Sequence, residues 1–219
     1  MSLSVISIFQ YNKFMKKFPI VIPVFPLSGV IYFPKTNLPL NIFEKRYVDL
    51  VNDAYNNDKL MGMVQSKKED NAVYEVGCLG KISDYQKSQD GRILINLTGI
   101  TRFKILKEIS NNKLYREFEV DYKNFVEDID TFHGEIKSFN LLEKAKPFFK
   151  RSGLMLNWKE FEKLDNTQKI DTLAMIAPIT NEEKQKLLEA ISLENKVNIL
   201  ESIISFYLHE TGFNNQTLQ

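Results

Sequence analysis

The spacing of apolar residues changes near residue 126, which divides the chain into a strand-like part and a helical part. Before that point Leu60–Gln65 forms an apolar run and Leu114–Tyr122 alternates apolar with polar residues, two patterns typical of strands. Five of the seven prolines lie between residues 19 and 39 and exclude a helix there. Lys45–Asn56 is the exception, because its apolar residues repeat at helical spacing. This part of the sequence therefore predicts a β-rich unit with one packed helix.

The longest predicted strand is Arg92–Ile109. The tight-turn signal Asp90-Gly91 joins it to a preceding strand, Gly80–Ser88. Its apolar residues fall on one face: Ile93, Ile95, Leu97, Phe103 and Ile105. Gly99 lies in the middle of that face and predicts a bulge or bend, of the kind that turns a corner in a small barrel.

After residue 126 the apolar period is close to 3.6, as in helices. We predict a long helix from Ile129 to about Lys150, and further helices at Asn157–Leu164, Asn166–Ala177 and Asn181–Ala190 and after Ser192. Thr180 and Glu183 have the spacing of a capping box at the start of the helix at 181–190.

Together these patterns predict an α+β fold. A β pseudo-barrel with one packed helix occupies residues 18–125, and a C-terminal α-helical bundle occupies residues 126–212. Residues 1–17 are expected to form a poorly ordered extension, and residues 213–219 a frayed tail.

Charge and composition exclude some classes of protein. The net charge of +1 argues against a domain built around nucleic acid, although residues 1–125 hold 18 Lys and Arg against 13 Asp and Glu. No apolar run reaches the roughly 18–20 residues of a transmembrane helix, so we expect no membrane association. The short apolar stretch Leu3–Phe9 precedes its lysines, which is the reverse of a secretory signal. A cytoplasmic location is therefore expected.

The residues needed for common chemistries are scarce. Neither the phosphate-binding G-x-x-x-x-G-K-[ST] loop nor the G-x-G-x-x-G dinucleotide motif occurs. The chain has two histidines, His133 and His209, and one cysteine, Cys78, which is too few for the usual zinc sites. Cys78 on a predicted strand is expected to pack as a small apolar residue. We therefore expect no catalytic residue, no cofactor and no metal.

An ordered set of short motifs carries a resemblance to a known family. The set comprises Ile22-Pro23-Val24-Phe25-Pro26-Leu27, Leu38-Pro39-Leu40-Asn41-Ile42-Phe43-Glu44, Met61-Gly62-Met63-Val64-Gln65, Tyr74-Glu75-Val76-Gly77-Cys78-Leu79-Gly80 and Leu97-Thr98-Gly99-Ile100. In this order over about a hundred residues, the motifs resemble the N-terminal substrate-recognition domain of the ATP-dependent protease Lon. The helical part resembles short standalone Lon-domain proteins of bacteria, so the resemblance covers almost the whole chain from Phe18 onward.

The resemblance implies a PUA-like pseudo-barrel followed by a helical bundle. It also implies a non-catalytic protein- or peptide-binding module that acts without ATPase or protease domains of its own. Its expected partners are unfolded or exposed-hydrophobic protein segments, and a Lon-type protease. The alternative is RNA binding, which the PUA-like barrel and the positive bias of residues 1–125 suggest. Nucleic acid is the less favoured partner.

Candidate binding residues lie around the proline-rich region and the first helix. Extended segments there can leave apolar side chains exposed, and exposed apolar patches mark partner sites. The candidates for peptide binding are Phe33, Ile42, Phe43, Arg46 and Tyr47. Core packing is the alternative role for the apolar and aromatic ones. Glu44 and Arg102 are expected to form a structural ion pair that braces the helix against the barrel.

Overall fold

The computed structural model describes residues 18–67, 72–128 and 139–214, with the side chains of residue 139 and residues 210–214 excepted. The predicted extension at 1–17 and the start of the predicted long helix at 129–138 lie outside the described residues. The same holds for residues 215–219 of the predicted tail.

Six strands form one sheet. They are β1 Val21–Leu27, β2 Asn37–Ile42, β3 Leu60–Gln65, β4 Val76–Lys87, β5 Ile93–Ile109 and β6 Arg116–Asp121. Their order is β2-β5-β4-β3-β1-β6, and a further pairing of β5 with β6 closes five of them into a barrel. The β1–β3 pair is parallel, and the other pairs are antiparallel. Strand β2 stays outside the closed ring, because it pairs with β5 alone among the described strands.

Strand β5 is long enough to pair both with β2, outside the closed barrel, and with β6, which closes it. Residues 93–98 pair with β2, and residues 104–109 pair with β6 on the same edge. Between these stretches the ladder to β4 shifts register, since Gly80 pairs with Gly99 and Leu79 with Thr101. This confirms the predicted bulge at Gly99. A side chain there would collide with the backbone, because an added Cβ would lie 2.1 Å from the Phe33 carbonyl oxygen.

One helix packs on the barrel, as predicted. Helix α1 spans Lys45–Asn56 and buries Tyr47, Leu50, Val51 and Ala54 along one stripe. These side chains join a core cluster with β2, β4 and β5. A second cluster fills the barrel between β1, β3, β5 and β6.

Among the described residues a 3-10 helix, Lys123–Asp128, follows β6. Five α-helices come after it: α2 Phe139–Arg151, α3 Trp158–Phe161, α4 Asn166–Ile176, α5 Asn181–Glu189 and α6 Leu193–Asn214. The predicted capping box of α5 is present, with the Glu183 amide donating to the Thr180 hydroxyl at 3.2 Å and the Thr180 amide donating to the Glu183 carboxylate at 2.8 Å. Ser192 caps α6 by accepting from the Asn195 amide. No helix within the three described ranges is both long enough and apolar enough to cross a membrane.

The bundle and the barrel share a core. The bundle cluster takes in Ile31, Phe33, Val76 and Phe125 from the β-rich part, together with apolar residues of α2 to α6. Phe33 therefore projects away from the barrel and into the bundle, which fixes the helices against one side of the sheet.

Candidate functional site

Three of the predicted binding residues lie in the core of the structure. Phe33 is fully buried in the bundle cluster, and Ile42 and Tyr47 are 3% and 8% exposed in the cluster beneath α1. A side chain enclosed in this way cannot contact a partner while the fold is intact. The expectation that these three residues face a ligand is therefore corrected: proline-rich segments here carry their apolar side chains inward.

Phe43 and Arg46 do reach the surface. Phe43, directly after β2, is 68% exposed. Arg46 lies in the first turn of α1, 4.5 Å above the Tyr47 ring centroid, and its guanidinium donates to Glu44 at 2.9 Å. Of the five predicted residues, these two are the ones that a partner can touch.

The predicted Glu44–Arg102 ion pair is wrong, because each residue has another partner. Arg102 is 3% exposed and forms a bidentate pair with Asp128, with Nη2 at 2.7 Å and Nε at 3.0 Å from the carboxylate oxygens. Its Nη1 donates to the Leu188 carbonyl at 3.0 Å and to that of Ala190. Arg102 thus connects the barrel to the end of α5 instead of bracing α1.

A second buried ion pair lies near the first. The Lys196 ammonium of α6 donates to Asp171 of α4, and both side chains are at most 3% exposed. The ammonium also lies 4.7 Å from the Phe33 ring centroid. Burial raises the pKa of the Asp171 carboxyl, and the Lys196 charge opposes that rise. The cavity beside the two pairs measures only about 50 Å³, far below the roughly 300–1,000 Å³ of ligand pockets. The Arg102–Asp128 pair connects the barrel to the bundle, and the Lys196–Asp171 pair connects α6 to α4 within the bundle. The space beside them is too small for an ordinary ligand.

A different surface offers room for a partner: the outer edge of β2. The Gly99 amide donates to the Thr36 carbonyl at 2.9 Å, so that carbonyl points toward β5, while the Gly99 carbonyl accepts from the Lys35 amide. In antiparallel pairing hydrogen-bonded positions alternate with positions whose backbone groups point away. By that alternation, the backbone groups of Asn37, Pro39 and Asn41 point away from β5. Within the described part of the chain, no strand pairs with this edge.

The outer face of the sheet beside this edge contains a shallow depression of about 420 Å³. Its side chains come from two cross-strand rows: Asn41, Leu94 and Gln86 in one, and Pro39, Asn96 and Asp84 in the other. Leu94 is 46% exposed, although its neighbours Ile93 and Ile95 are buried. Phe43 follows Asn41 by two residues, so an exposed ring adjoins the open edge.

Neither the cysteine nor a metal-ligand cluster contributes to this surface among the described residues. Cys78 is fully buried, and burial raises the pKa of its thiol well above the ordinary value, which keeps it protonated and unreactive. Across residues 18–67, 72–128 and 139–214 no three His, Cys, Asp or Glu side chains cluster as metal ligands would.

Two features were missed at the sequence level, namely the exposure of Leu94 at this surface and the buried ion pair where the barrel meets the bundle. Leu94 alternates with Ile93 and Ile95, which were correctly predicted to be buried, and that alternation was a signal of an exposed apolar residue. The same prediction placed Phe103 and Ile105 on the face of Ile93, whereas beyond the Gly99 bulge they pack in the other cluster. The pairing of Arg102 with Asp128 had no such signal, because the partners are separated by 26 positions and meet only through the fold.

Comparison with known proteins agrees with this architecture. A family model for the ATP-dependent protease La (LON) substrate-binding domain matches residues 21–205. The Lon protease of Syntrophus aciditrophicus (strain SB) is 23% identical over 206 residues, which are 88% of this chain and 26% of that protein. The Lon protease of Bacillus thuringiensis (strain Al Hakam) is 24% identical over 196 residues, 84% of this chain and 24% of that protein. The chain therefore spans about a quarter of the length of these relatives.

Two solved structures share the fold. One is a Lon N-terminal domain protein from Xanthomonas campestris, with a TM-score of 0.61 and 21% identity, covering 84% of this chain and 97% of that one. The other is the N-terminal domain of the Mycobacterium avium complex Lon protease, with a TM-score of 0.62 and 16% identity, covering 84% and 98%. With its barrel and bundle matched over residues 21–205, the chain belongs to the family of the ATP-dependent protease La (LON) substrate-binding domain.

Proposed function

We propose that this chain is a non-catalytic module that binds extended segments of unfolded proteins at the open edge of β2. The observation that carries the proposal is the unpaired edge, flanked by the exposed Phe43 ring and by Leu94. Unpaired strand edges accept an additional strand through main-chain hydrogen bonds, and neighbouring side chains then set the preference for sequence.

The edge has a defined set of hydrogen-bonding groups. Asn37 and Asn41 each present an N–H and a carbonyl to the outside, while Pro39 between them presents a carbonyl alone. Proline on an edge strand limits uncontrolled pairing between copies of a protein. Here it leaves acceptors for a guest strand and fixes which guest amides can be paired. Unfolded segments qualify as guests because their backbone groups are free.

Cooperation with a Lon-type protease in the cytoplasm belongs to the same proposal. The curated relatives are Lon proteases about four times as long as the matched region. A module without chemistry of its own serves such an enzyme by holding a client segment. On this account the chain acts before any peptide bond is cut, and it carries no ATPase or protease activity.

RNA binding is the weaker alternative, because the cations of the β-rich half are largely engaged. Arg116 donates to Glu108 at 2.6 Å, and Lys107 lies 2.9 Å from Glu119. Surface ion pairs of this kind interrupt the positive face that phosphates require. The charge surplus of residues 1–125 thus supports a protein partner no less than a nucleic acid.

The test is a titration of a short fluorescein-labelled peptide with alternating valine and serine, followed by fluorescence anisotropy. Asn41→Pro removes one outward N–H without touching the bonds to β5, and Asn41→Ala is the matched control that keeps it. One hydrogen bond is worth about 0.5–1.5 kcal/mol, so Asn41→Pro is expected to weaken binding roughly two- to twelvefold. Saturable binding that is identical in both variants would refute binding at this edge. Absence of saturable binding to the wild-type protein would refute the function itself.

A further inference from the structure

The depression beside the β2 edge combines an apolar floor with one acidic group. Pro39 and Leu94 supply apolar surface, and amide side chains from Asn41, Asn96 and Gln86 surround it. The Asn96 side chain is held in place by a neighbouring serine. The Asn96 side-chain amide donates to the Ser83 hydroxyl at 3.1 Å, and that hydroxyl donates to the Asn96 backbone carbonyl at 3.0 Å.

Asp84 is the charged residue of this depression. Its carboxylate accepts a hydrogen bond from the Tyr85 amide at 2.9 Å, and no lysine or arginine among the described residues forms an ion pair with it. The other acidic residues of these two strands and their turn have cationic partners. Glu108 of β5 lies 2.6 Å from Arg116, and Asp90 of the turn lies 3.0 Å from Arg92.

We infer that this depression receives the side chain of a lysine or arginine from the bound protein segment, an inference that rests on the proposed function. Long basic side chains lay their methylene stems on apolar surface while the charged head stays hydrated. Here the stem would cover Leu94 and Pro39, and the head would pair with Asp84. The amide oxygens of Gln86 and Asn41 can accept the remaining N–H groups.

The depression adjoins the open edge because two residues belong to both. Pro39 and Asn41 line the depression with their side chains, and their backbone groups form the edge. A client held along β2 therefore lies against the rim of the depression. Client segments that combine extended apolar residues with a basic residue are retained, whereas acidic residues at the same place meet the Asp84 charge and are rejected.

The experiment compares three labelled peptides that differ at one central position, which is lysine, norleucine or glutamate. Norleucine keeps the apolar stem and lacks the charge. For the wild-type protein we expect the lysine peptide to bind about two- to fivefold more tightly than the norleucine peptide, and the glutamate peptide to bind more weakly than both. The preference for lysine should shrink as salt increases, because both charges are close to solvent.

Asp84→Asn keeps an oxygen for the Tyr85 amide and is expected to abolish the preference, while Asp84→Lys should reverse it in favour of glutamate. Asp90→Asn is the matched control: an exposed carboxylate at the turn of the same hairpin, outside the depression. If all three peptides bind equally to wild type and to Asp84→Asn, and Asn41→Pro still weakens them, the inference about the basic side chain fails and the binding edge stands. If no peptide binds, the proposed function fails as well.

Discussion

Replacing Asp128 with alanine removes the carboxylate that neutralises Arg102 where the barrel meets the bundle. The guanidinium is 3% exposed and would remain in place with only Asp171 nearby, a carboxylate already paired with Lys196. Breaking a buried ion pair in this way costs about 3–5 kcal/mol. Arg102 keeps its hydrogen bonds to two carbonyls at the end of α5 and its position 4.5 Å above the Phe125 ring. We therefore expect Asp128→Ala to lower the free energy of unfolding by about 3 kcal/mol, the lower end of that range.

Urea unfolding followed by circular dichroism measures this loss. The control is Asp49→Ala, which breaks an exposed helical pair with Lys45 at 3.0 Å and should change the free energy of unfolding by no more than about 0.5 kcal/mol. The double variant Arg102→Met with Asp128→Ala also removes the guanidinium charge that Asp128→Ala alone leaves unpaired. Its loss of unfolding free energy should therefore be smaller than the sum of the losses of the two single variants. Additive losses, or an Asp128 effect as small as that of Asp49, would refute the role assigned to this junction.

Three further outcomes follow from the packing. Gly99→Ala should destabilise the fold by about 1–3 kcal/mol or more in urea unfolding, because its Cβ would meet the Phe33 carbonyl. At Gly91 an added Cβ meets no other atom, so Gly91→Ala should lower the free energy of unfolding only by the roughly 1–2 kcal/mol that a left-handed backbone costs. Phe33→Ala should cost about 3–5 kcal/mol and leave peptide affinity per folded molecule unchanged, which anisotropy at matched folded concentrations would check. Burial raises the pKa of Cys78 and Tyr32, so the folded protein holds these two protons more tightly than the unfolded chain does. The stability that these groups contribute is full below about pH 8.5 and falls as the pH rises toward the raised pKa values. Urea unfolding at successive alkaline pH values would record this fall.

Much of the fold could be predicted because its signals are local. Helical spacing identified Lys45–Asn56 to the residue, and the turn signal at Asp90-Gly91 identified the hairpin of β4 and β5. The bulge at Gly99 was predicted because a glycine interrupted an apolar face. In each case the information lies within a few residues of the feature.

The candidate site was only partly predictable, since burial depends on which elements meet. Phe33 and Phe43 are both aromatic residues near prolines, yet one is enclosed by the bundle and the other is 68% exposed. Arg102 was expected to pair with Glu44 and brace α1 against the barrel, but the strand carries it toward α5 instead. Distances of this kind come from strand order and helix packing, which no local pattern contains.

Hydrogen exchange of the β2 amides tests the central claim most directly. In the free protein, the amides of Asn37 and Asn41 should exchange rapidly, while those of Leu38, Leu40 and Ile42 are protected by β5. On addition of the valine–serine peptide, the account predicts new protection at Asn37 and Asn41 with the other three unchanged. Saturable binding that leaves Asn37 and Asn41 in rapid exchange would contradict it.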